Sequence, residues 1–245
     1  MEIGIVVFPG SNCDADTLHL VRDVMGHGAR FVWHEEGRLD GLDAVVLPGG
    51  FAYGDYLRAG AIAATSPVVR ALRRYAEQGG IVLGVCNGFQ VLLEAGLLPG
   101  AMRRNASGRF QCEFVHIRVE RADTPWTCGM KPGDVLRLPI AHAEGNYYAD
   151  PEIHAELIAH RQIVFRYCDA GGACCAAANP NGSFDGIAGL ANRAGTVVAL
   201  MPHPERAAER LLGGADGRRV VESLAQWISA RRGPTRVGTR GAEVR

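Results

Sequence analysis

Short apolar runs alternate with helical stretches along most of the chain, and this alternation predicts an α/β fold. The first run, residues 3–8, is rich in β-branched side chains, which is typical of a strand buried on both faces of a parallel sheet. Parallel strands joined by crossover helices are therefore expected. We predict further strands at 29–33, 44–47, 81–85, 163–165, 187–190 and 197–201, and helices at about 17–25, 67–78, 88–94 and 218–231.

One of these helices has a recognisable start at Ser66 and Pro67. A serine oxygen can cap the free amides of a first helical turn, and proline suits the first helical position because no amide hydrogen bond is lost there. We therefore expect the hydroxyl of Ser66 to cap the helix predicted at 67–78.

The pattern changes between residues 109 and 140, where apolar and polar side chains alternate. The segment from Val115 to Glu120 is the clearest example, and this period is typical of strands with one exposed face. We expect a small antiparallel insertion in a doubly wound, mostly parallel sheet. Since no repeat or linker interrupts the chain, residues 1–232 are expected to form one domain, with a disordered tail at 233–245.

The composition argues against recruiting nucleic acid or a membrane through bulk charge. The 245 residues include 26 basic and 26 acidic side chains, so the formal net charge is zero. Lys131 is the single lysine and it follows a methionine, whereas a phosphate-binding P-loop needs lysine after glycine. We therefore expect no ATP site of that kind in this chain.

The cysteines give no sign of a disulfide framework or a metal site. They number seven, are scattered and include no C-x-x-C pair, which favours reduced thiols. No secretory signal pattern and no apolar run of about 18 residues is present. A cytoplasmic protein without a bound metal is expected.

A candidate nucleophile, Cys86, stands where a predicted strand gives way to a helix. Gly84 and Gly88 lie two positions on either side of it, as in a nucleophile elbow with sulfur in place of oxygen. The glycines permit a tight turn that presents the side chain at the carboxyl end of the sheet. Free amides at the start of the helix favour a thiolate, so Cys86 is expected to be reactive rather than a packing residue.

A thiol nucleophile needs a base, usually a histidine whose other ring nitrogen is held by a carboxylate. Residues two apart in an extended segment project to the same side, so H-x-E can supply that pair. His34, His142 and His203 each precede a glutamate by two positions. His34 lies in a polar connection, whereas the other two follow strand-like runs. Flanking prolines keep the segment of His203 extended and favour it, while His142 remains an alternative.

Taken together, the motifs carry a family resemblance. The chain resembles the class I, triad-type glutamine amidotransferases, whose signature combines P-G-G (here 48–50), G-x-C-x-G-x-Q (84–90) and a late H-P-E (203–205). Longer matches cover nearly the whole chain except the tail, and they resemble the glutaminase subunits of phosphoribosylformylglycinamidine synthase, of purine biosynthesis. These matches are F-P-G-S-N-C-D at 8–14, G-G-F-A-Y-G-D-Y-L-R at 49–58, V-C-N-G-F-Q at 85–90 and A-H-A-E-G-N at 141–146.

The resemblance implies a flavodoxin-like fold and a role for each motif residue. Cys86 is implied as the nucleophile, His203 as general base and acid, and Glu205 as the residue that orients His203. The backbone amides of Gly50 and Asn87 are implied as the oxyanion hole. We hypothesise that further residues line the glutamine site or the partner surface, against the alternative of a buried hydrogen-bond network: Gln90, Phe51, His142, Glu144, and the loop from Tyr53 to Arg58.

The resemblance also implies partners. Ammonia released into neutral water becomes protonated and loses its nucleophilicity, so it needs a covered route to an acceptor. The implied acceptor is a large ATP-dependent synthetase subunit, joined by a small bridging subunit. This synthetase would use ATP and magnesium to convert formylglycinamide ribonucleotide to formylglycinamidine ribonucleotide. This chain would hydrolyse glutamine through a cysteine thioester and need no cofactor of its own.

Three other functions stay open at the level of sequence. They are a stand-alone hydrolase or deglycase of the related cysteine-elbow fold, a non-catalytic binding protein, and a glutaminase subunit of another pathway. The P-G-G loop and the H-P-E motif argue against the first, and the intact cysteine, histidine and glutamate argue against the second. Cys13 is expected to pack, and no function is assigned to Cys174 and Cys175.

Overall fold

A computed structural model describes residues 1–232, and the tail predicted at 233–245 lies outside them. The strands are β1 (Glu2–Val7), β2 (Gly28–Trp33), β3 (Ala44–Leu47), β4 (Ile81–Val85), β5 (Ala101–Arg103), β6 (Gln111–Val119), β7 (Val135–His142), β8 (Asn146–Tyr148), β9 (Ile163–Cys168), β10 (Ile187–Ala191) and β11 (Val197–Leu200). The α-helices are α1 (Asp14–Leu18), α2 (Pro67–Glu77), α3 (Asn87–Glu94), α4 (Pro151–Ala159) and α5 (Arg218–Arg232).

Nine of these strands form one mixed sheet in the order β2-β1-β3-β4-β11-β10-β9-β6-β7, and β5 pairs with β8 separately. The first five strands of this order run parallel, and every later pairing is antiparallel. The predicted α/β fold with a parallel sheet and an antiparallel part is therefore confirmed. The antiparallel part is larger than the predicted insertion because β9 and β10 also belong to it.

Three adjacent parallel strands, β3, β4 and β11, position the site. Leu47 pairs with Gly84, and Val85 pairs with Leu200, so the three strands end at the same edge of the sheet. Each strand is buried along its whole length, which is why its sequence is continuously apolar. The P-G-G, cysteine and H-P-E motifs follow these strands directly, so the fold brings all three motifs together.

The helix after β4 is buried on all sides. Phe89, Val91 and Leu92 of α3 are completely inaccessible to water. On the same sheet, the indole of Trp126 is buried and donates from Nε1 to the carbonyl oxygen of Val82 over 3.0 Å. These contacts fix β4 and the start of α3 within the core, so the turn between them is rigidly supported.

Several local predictions differ from the structure. The first helix begins at Asp14 rather than near 17, and α1 continues as a π-helical turn at His19–Val24. The predicted cap of α2 is wrong, because the hydroxyl of Ser66 donates to the carbonyl oxygen of Ala63 over 2.7 Å instead of accepting from the helix. No helix within residues 1–232 is long and apolar enough to cross a membrane.

The strands β5 and β8 and the helix α4 had no counterpart among the predicted elements. A start signal for α4 is nevertheless present in the sequence, since Asp150 precedes Pro151. The carboxylate of Asp150 accepts from the amide of Ile153 over 2.8 Å and caps the helix. The strands β5 and β8 have only three residues each, too few to show a period.

Candidate active site

Cys86 occupies the turn between β4 and α3 in an unusual backbone conformation. Its φ and ψ are +49° and −104°, a region that non-glycine residues rarely adopt. The amide of Cys86 donates to the carbonyl oxygen of Leu200 over 2.9 Å, which ties the turn to β11. The side chain is 5% exposed, and its sulfur lies 3.9 Å from the carbonyl oxygen of Ala141. The elbow expected from the sequence is therefore present, with the strain on the cysteine itself.

The two glycines of the elbow are required for a different reason from the one predicted. Neither has a positive φ. A Cβ atom on Gly88 would lie 2.0 Å from the carbonyl oxygen of Leu47, and one on Gly84 would lie 2.6 Å from Cδ1 of Leu92. Glycine at these positions therefore allows α3 to pack directly onto the strands, rather than supplying turn flexibility.

His203 and Glu205 form a buried pair on the loop after β11. The atoms Nδ1 of His203 and Oε1 of Glu205 are 2.5 Å apart, and both side chains are 2% exposed. The backbone amide of His203 donates to the carbonyl oxygen of Pro139 over 2.8 Å and fixes the segment. Because Nδ1 is engaged, the ring presents Nε2, which is buried and has no hydrogen-bond partner among the described residues.

The charge state of His203 follows from its neighbours. Burial alone lowers the pKa of His203, but the carboxylate of Glu205 and the sulfur of Cys86 outweigh it, so the pKa lies well above its ordinary value. The sulfur of Cys86 thus lies close enough to the imidazole of His203 to raise its pKa. The ring can hold a proton at neutral pH and release it to a group bound beside Cys86.

Cys13 packs against the other side of this pair. Its sulfur lies 3.8 Å from Nδ1 of His203, and burial raises the pKa of the Cys13 thiol. The candidate ligand atoms of Cys13, His203 and Glu205 lie within 4.8 Å of one another, the one such group among the described residues. Since Nδ1 already donates to Glu205, we read this group as a support for the imidazole rather than as a metal centre.

Gly50 and Asn87 carry the backbone amides expected for an oxyanion hole. Gly50 has a φ of +149°, and a Cβ atom there would lie 2.7 Å from the amide nitrogen of Asn12, so only glycine fits. Asn87 is the first residue of α3, where an amide has no partner within the helix. Its side chain also holds the P-G-G loop, because Oδ1 accepts from the amide of Ala52 over 3.1 Å.

A cleft of about 80 Å³ opens beside the cysteine. A wider cleft of about 380 Å³, lined by residues such as Arg38 and Tyr75, contains no cysteine or histidine and is remote from this chemistry. Arg58 is not among the residues that line the cleft beside Cys86. Its guanidinium instead binds the carboxylate of Glu94 through two 2.6 Å hydrogen bonds. The lining residues are Gly50, Phe51, Asp55, Cys86, Gln90, Ala141, His142, Ala143 and Glu144.

His142 is a neutral acceptor. Its Nδ1 lies 3.0 Å from Oδ1 of Asn105, and the Asn105 amide nitrogen donates to two carbonyl oxygens, which fixes the orientation of that amide. The proton of His142 therefore sits on Nδ1, leaving Nε2 as a buried acceptor without a partner in the described chain. Burial and the charge of His203 lower the pKa of His142 to about 4.

The structure therefore separates the three H-x-E candidates. The carboxylate of Glu144 lies 3.9 Å from Arg104 and does not bind His142. The ring of His34 lies 2.7 Å from the hydroxyl of Tyr53, outside the cleft. Only His203 has the expected pairing with its glutamate, which the sequence spacing could not decide.

Asp55 belongs to the loop from Tyr53 to Arg58 that is predicted to line the glutamine site or the partner surface, and it lines the cleft. Its Oδ1 accepts from Nδ2 of Asn87 over 3.1 Å, and it follows Tyr53 and Gly54, which also have positive φ. Burial, with the charge of Glu144, raises the pKa of Asp55 to about 6. Its only sequence signal was membership of the G-D-Y-L-R segment.

Comparison with known proteins defines the class first. The family model described as the CobB/CobQ-like glutamine amidotransferase domain matches residues 1–227. With its elbow cysteine and buried histidine–glutamate pair on a mixed sheet, the chain is a glutamine amidotransferase. This result confirms the resemblance inferred from the three sequence motifs.

Individual relatives show which family of glutamine amidotransferases the chain resembles. The phosphoribosylformylglycinamidine synthase subunit PurQ of Gloeobacter violaceus is 57% identical over 91% of this chain and 97% of its own length. The PurQ subunit of Moorella thermoacetica is 53% identical over 93% and 96%. A chain in the structure of PurLQS from Thermotoga maritima superposes with a TM-score of 0.83 at 40% identity, covering 93% of this chain and 99% of that one. The chain belongs to the PurQ family.

Proposed function

We propose that this chain is the glutaminase subunit of a phosphoribosylformylglycinamidine synthase, with Cys86, His203 and Glu205 as its catalytic residues. The observation that carries the proposal is the imidazole of His203 beside the elbow cysteine. Glu205 holds its Nδ1 at 2.5 Å, and its buried Nε2 has no hydrogen-bond partner within residues 1–232. A hydrolase of amides needs this combination of a presented nucleophile and an oriented imidazole.

In the first half of the reaction, His203 holds the proton of the Cys86 thiol and the sulfur attacks the side-chain amide of glutamine. The carbonyl oxygen becomes an oxyanion, which the amides of Gly50 and Asn87 bind. Donors of this kind contribute about 3 kcal/mol each to stabilisation of the transition state. His203 then gives its proton to the departing nitrogen, so ammonia leaves and a glutamyl thioester remains on Cys86.

In the second half, the neutral imidazole of His203 takes a proton from water, and the resulting hydroxide attacks the thioester. The tetrahedral intermediate collapses with the Cys86 sulfur as leaving group, and glutamate is released. Glu205 holds the imidazole in one orientation throughout and stabilises its charged form. Each step uses only groups of this chain, glutamine and water, so the proposal needs no metal or cofactor here.

The remaining cleft residues hold the substrate. Phe51 and Gln90 line the cleft with Cys86, and the Gln90 side chain donates to the carbonyl oxygen of Glu144 over 2.7 Å. Gln90 thereby joins α3 to the end of β7. The free acceptor of His142 is suited to an N–H group of the bound amide or of the departing ammonia.

The ammonia is proposed to pass to a synthetase partner. The Thermotoga maritima assembly, PurLQS, joins PurQ to PurL and PurS, and this supports the large synthetase subunit and small bridging subunit expected from the sequence. That partner would use ATP and magnesium to convert formylglycinamide ribonucleotide to formylglycinamidine ribonucleotide. Transfer within the complex keeps ammonia from being protonated in water.

The test is a reconstituted synthetase complex containing either the native chain or a Cys86→Ala variant. Synthesis with glutamine as nitrogen donor should be lost in the variant, whereas synthesis with added ammonia should remain. Cys112→Ala is the matched control, since Cys112 is exposed on β6 and should leave both activities intact. Equal loss of both activities in Cys86→Ala would show a structural role for Cys86 and contradict the proposal.

A further inference from the structure

Two cysteines outside the candidate active site lie at the base of one tight turn. Cys168 is the last residue of β9 and is buried, whereas Cys174 is exposed. The residues between them form a hairpin loop. The amide of Asp169 donates to the carbonyl oxygen of Ala173, and the amide of Gly172 donates to the carbonyl oxygen of Asp169, each over 3.0 Å. Gly172 supplies the positive φ, +87°, that a hairpin with a three-residue loop requires.

The hydrogen bonds of this loop fix which residues face each other. Asp169 and Ala173 close the loop, so Cys168 and Cys174 form the next facing pair, between whose backbones there is no hydrogen bond. Facing residues in antiparallel chains have Cα atoms about 4.5–5.5 Å apart, with the shorter distance in pairs of this kind. A disulfide needs Cα atoms about 4.4–6.8 Å apart. The two sulfurs can therefore be joined without movement of the backbone.

Charge effects between the two thiols and Arg118 agree with this placement. The Cys174 sulfur raises the pKa of Cys168, and both sulfurs raise the pKa of Arg118. Nη1 of Arg118 also donates to the carbonyl oxygen of Gly172 over 2.9 Å, so this side chain holds the loop. Burial raises the pKa of Cys168 to about 11 and raises that of Cys174 as well, while the charge of Arg118 opposes both shifts. Both groups are therefore mainly protonated at neutral pH, and their oxidation is slow.

The pair can be reached by small molecules from solvent. Cys174 lines a cleft of about 420 Å³ together with Arg118, and Cys168 lines a second cleft of about 480 Å³. Cys175 lines both, so the two clefts adjoin at the pair. Clefts of this size are within the usual range of small-molecule sites. Neither of them includes Cys86.

The segment that follows Cys174 supports the wall of the candidate active site. Asn181 donates from Nδ2 to the carbonyl oxygen of Gly145 over 2.8 Å and to the hydroxyl of Tyr167 over 3.1 Å. Gly145 directly follows Glu144, which lines the cleft of the candidate active site. A covalent bond between Cys168 and Cys174 would anchor the beginning of this segment to β9.

We propose that Cys168 and Cys174 are a modification site, which a low-molecular-weight disulfide oxidises to an intramolecular disulfide that stabilises the folded chain. Cys174, the exposed member, loses its proton to solvent, and its sulfur attacks one sulfur of the small disulfide, whose S–S bond breaks and releases a small thiolate. Cys168 then loses its proton and attacks the Cys174 sulfur, which expels the second small thiolate. The two small thiolates take up the two protons, so two cysteine thiols are oxidised and one small disulfide is reduced.

The experiment treats the reduced full-length chain with oxidised glutathione, blocks the remaining thiols and digests the chain with an endoproteinase that cleaves before aspartate. Cleavage before Asp169 separates Cys168 from Cys174, so the fragments 150–168 and 169–184 stay together only through a disulfide. Mass spectrometry of the native chain should find the joined fragments with the blocking group on Cys175. Cys175→Ser is the matched control and should give the same joined fragments.

Thermal unfolding gives a second readout. Closing so short a loop limits the unfolded chain, so oxidation should raise the Tm of the native chain by about 4–8 °C. Cys174→Ser, given the same treatment, should show no such rise. Absence of joined fragments from the native chain, or their loss in Cys175→Ser, would overturn the proposal. Joined fragments with an unchanged or lower Tm would also overturn it, because the bond would then not fit the native backbone.

Discussion

The strained turn at Cys86 makes a prediction that separates stability from activity. Cys86→Gly and Cys86→Ala both remove the sulfur, so both variants should lack glutaminase activity. They differ in how they tolerate a φ of +49° and a ψ of −104°. A side chain with a Cβ atom in such a region costs about 1–3 kcal/mol, whereas glycine adopts it freely. Glycine also makes the unfolded chain more flexible, which costs about 0.5–1 kcal/mol.

The net expectation is that Cys86→Gly is more stable than Cys86→Ala by about 1 kcal/mol. For a chain of this size, that difference corresponds to a shift in Tm of about 2–4 °C. Urea unfolding followed by circular dichroism, supported by thermal unfolding, would measure it. The control pair is Cys112→Gly and Cys112→Ala, because Cys112 is exposed in the regular strand β6.

At position 112 the order should reverse, with the glycine variant less stable by about 0.5–1 kcal/mol. If Cys86→Ala proved as stable as Cys86→Gly, the backbone at Cys86 would not be strained. The contacts of β4 and α3 would then not be needed to hold this turn in its conformation. The same result at both positions would show a general effect of glycine rather than a property of the elbow.

Two further predictions concern charged groups of the site. Glu205→Gln should lower kcat for glutamine hydrolysis about 100-fold to 10,000-fold, because His203 loses the carboxylate that orients it and stabilises its charged form; a loss below 10-fold, with ammonia-dependent synthesis intact, would contradict this role. Asp55→Asn should raise the free energy of unfolding near pH 7 and have almost no effect near pH 3, because the pKa of Asp55 is raised from 3.8 to about 6 in the folded chain. The folded state binds this proton more tightly, so the penalty is absent below both pKa values, grows between them and approaches its full size above about pH 7. For a buried group the difference is about 3 kcal/mol, and partial exposure reduces it to about 1 kcal/mol. Equal stabilisation at both pH values, measured by urea unfolding, would refute this account.

The sequence was most informative where burial dictates composition. The strands β3, β4 and β11 lie inside the sheet with both faces covered, so they can be found as continuous apolar runs. Motifs placed directly after such runs must meet at one edge of a parallel sheet. The position of Cys86 and the identity of its family follow from these two facts.

The pairing of the histidines could not be read from spacing. His142 and His203 each precede a glutamate by two residues after a strand, and only the folded environment distinguishes them. Glu144 points toward Arg104 at 3.9 Å, whereas Glu205 is buried against its histidine. Spacing shows which residues project to the same side of the chain. It does not show which residues from distant segments form ion pairs or hydrogen bonds with them.

For a related reason, the sequence predicts the loop from Tyr53 to Arg58 as a whole and does not single out Asp55 within it. It lies in a short irregular loop with several positive φ values, which has no period to recognise. An aspartate in a loop is ordinarily a solvated turn residue. Its placement in the cleft depends on Asn87, which approaches from the start of α3.

The position of β11 in the sheet has a consequence for how the molecule is assembled. This strand is the last of the sheet to be synthesised, yet it lies between β4 and β10. Before it is inserted, the chain holds two half-sheets, each with an unsatisfied inner edge open to wrong pairing. Insertion of β11 joins the halves and delivers His203 to Cys86 in the same event. Under the proposed function, a chain without an inserted β11 therefore has no base beside its cysteine, so glutaminase activity depends on closure of the sheet.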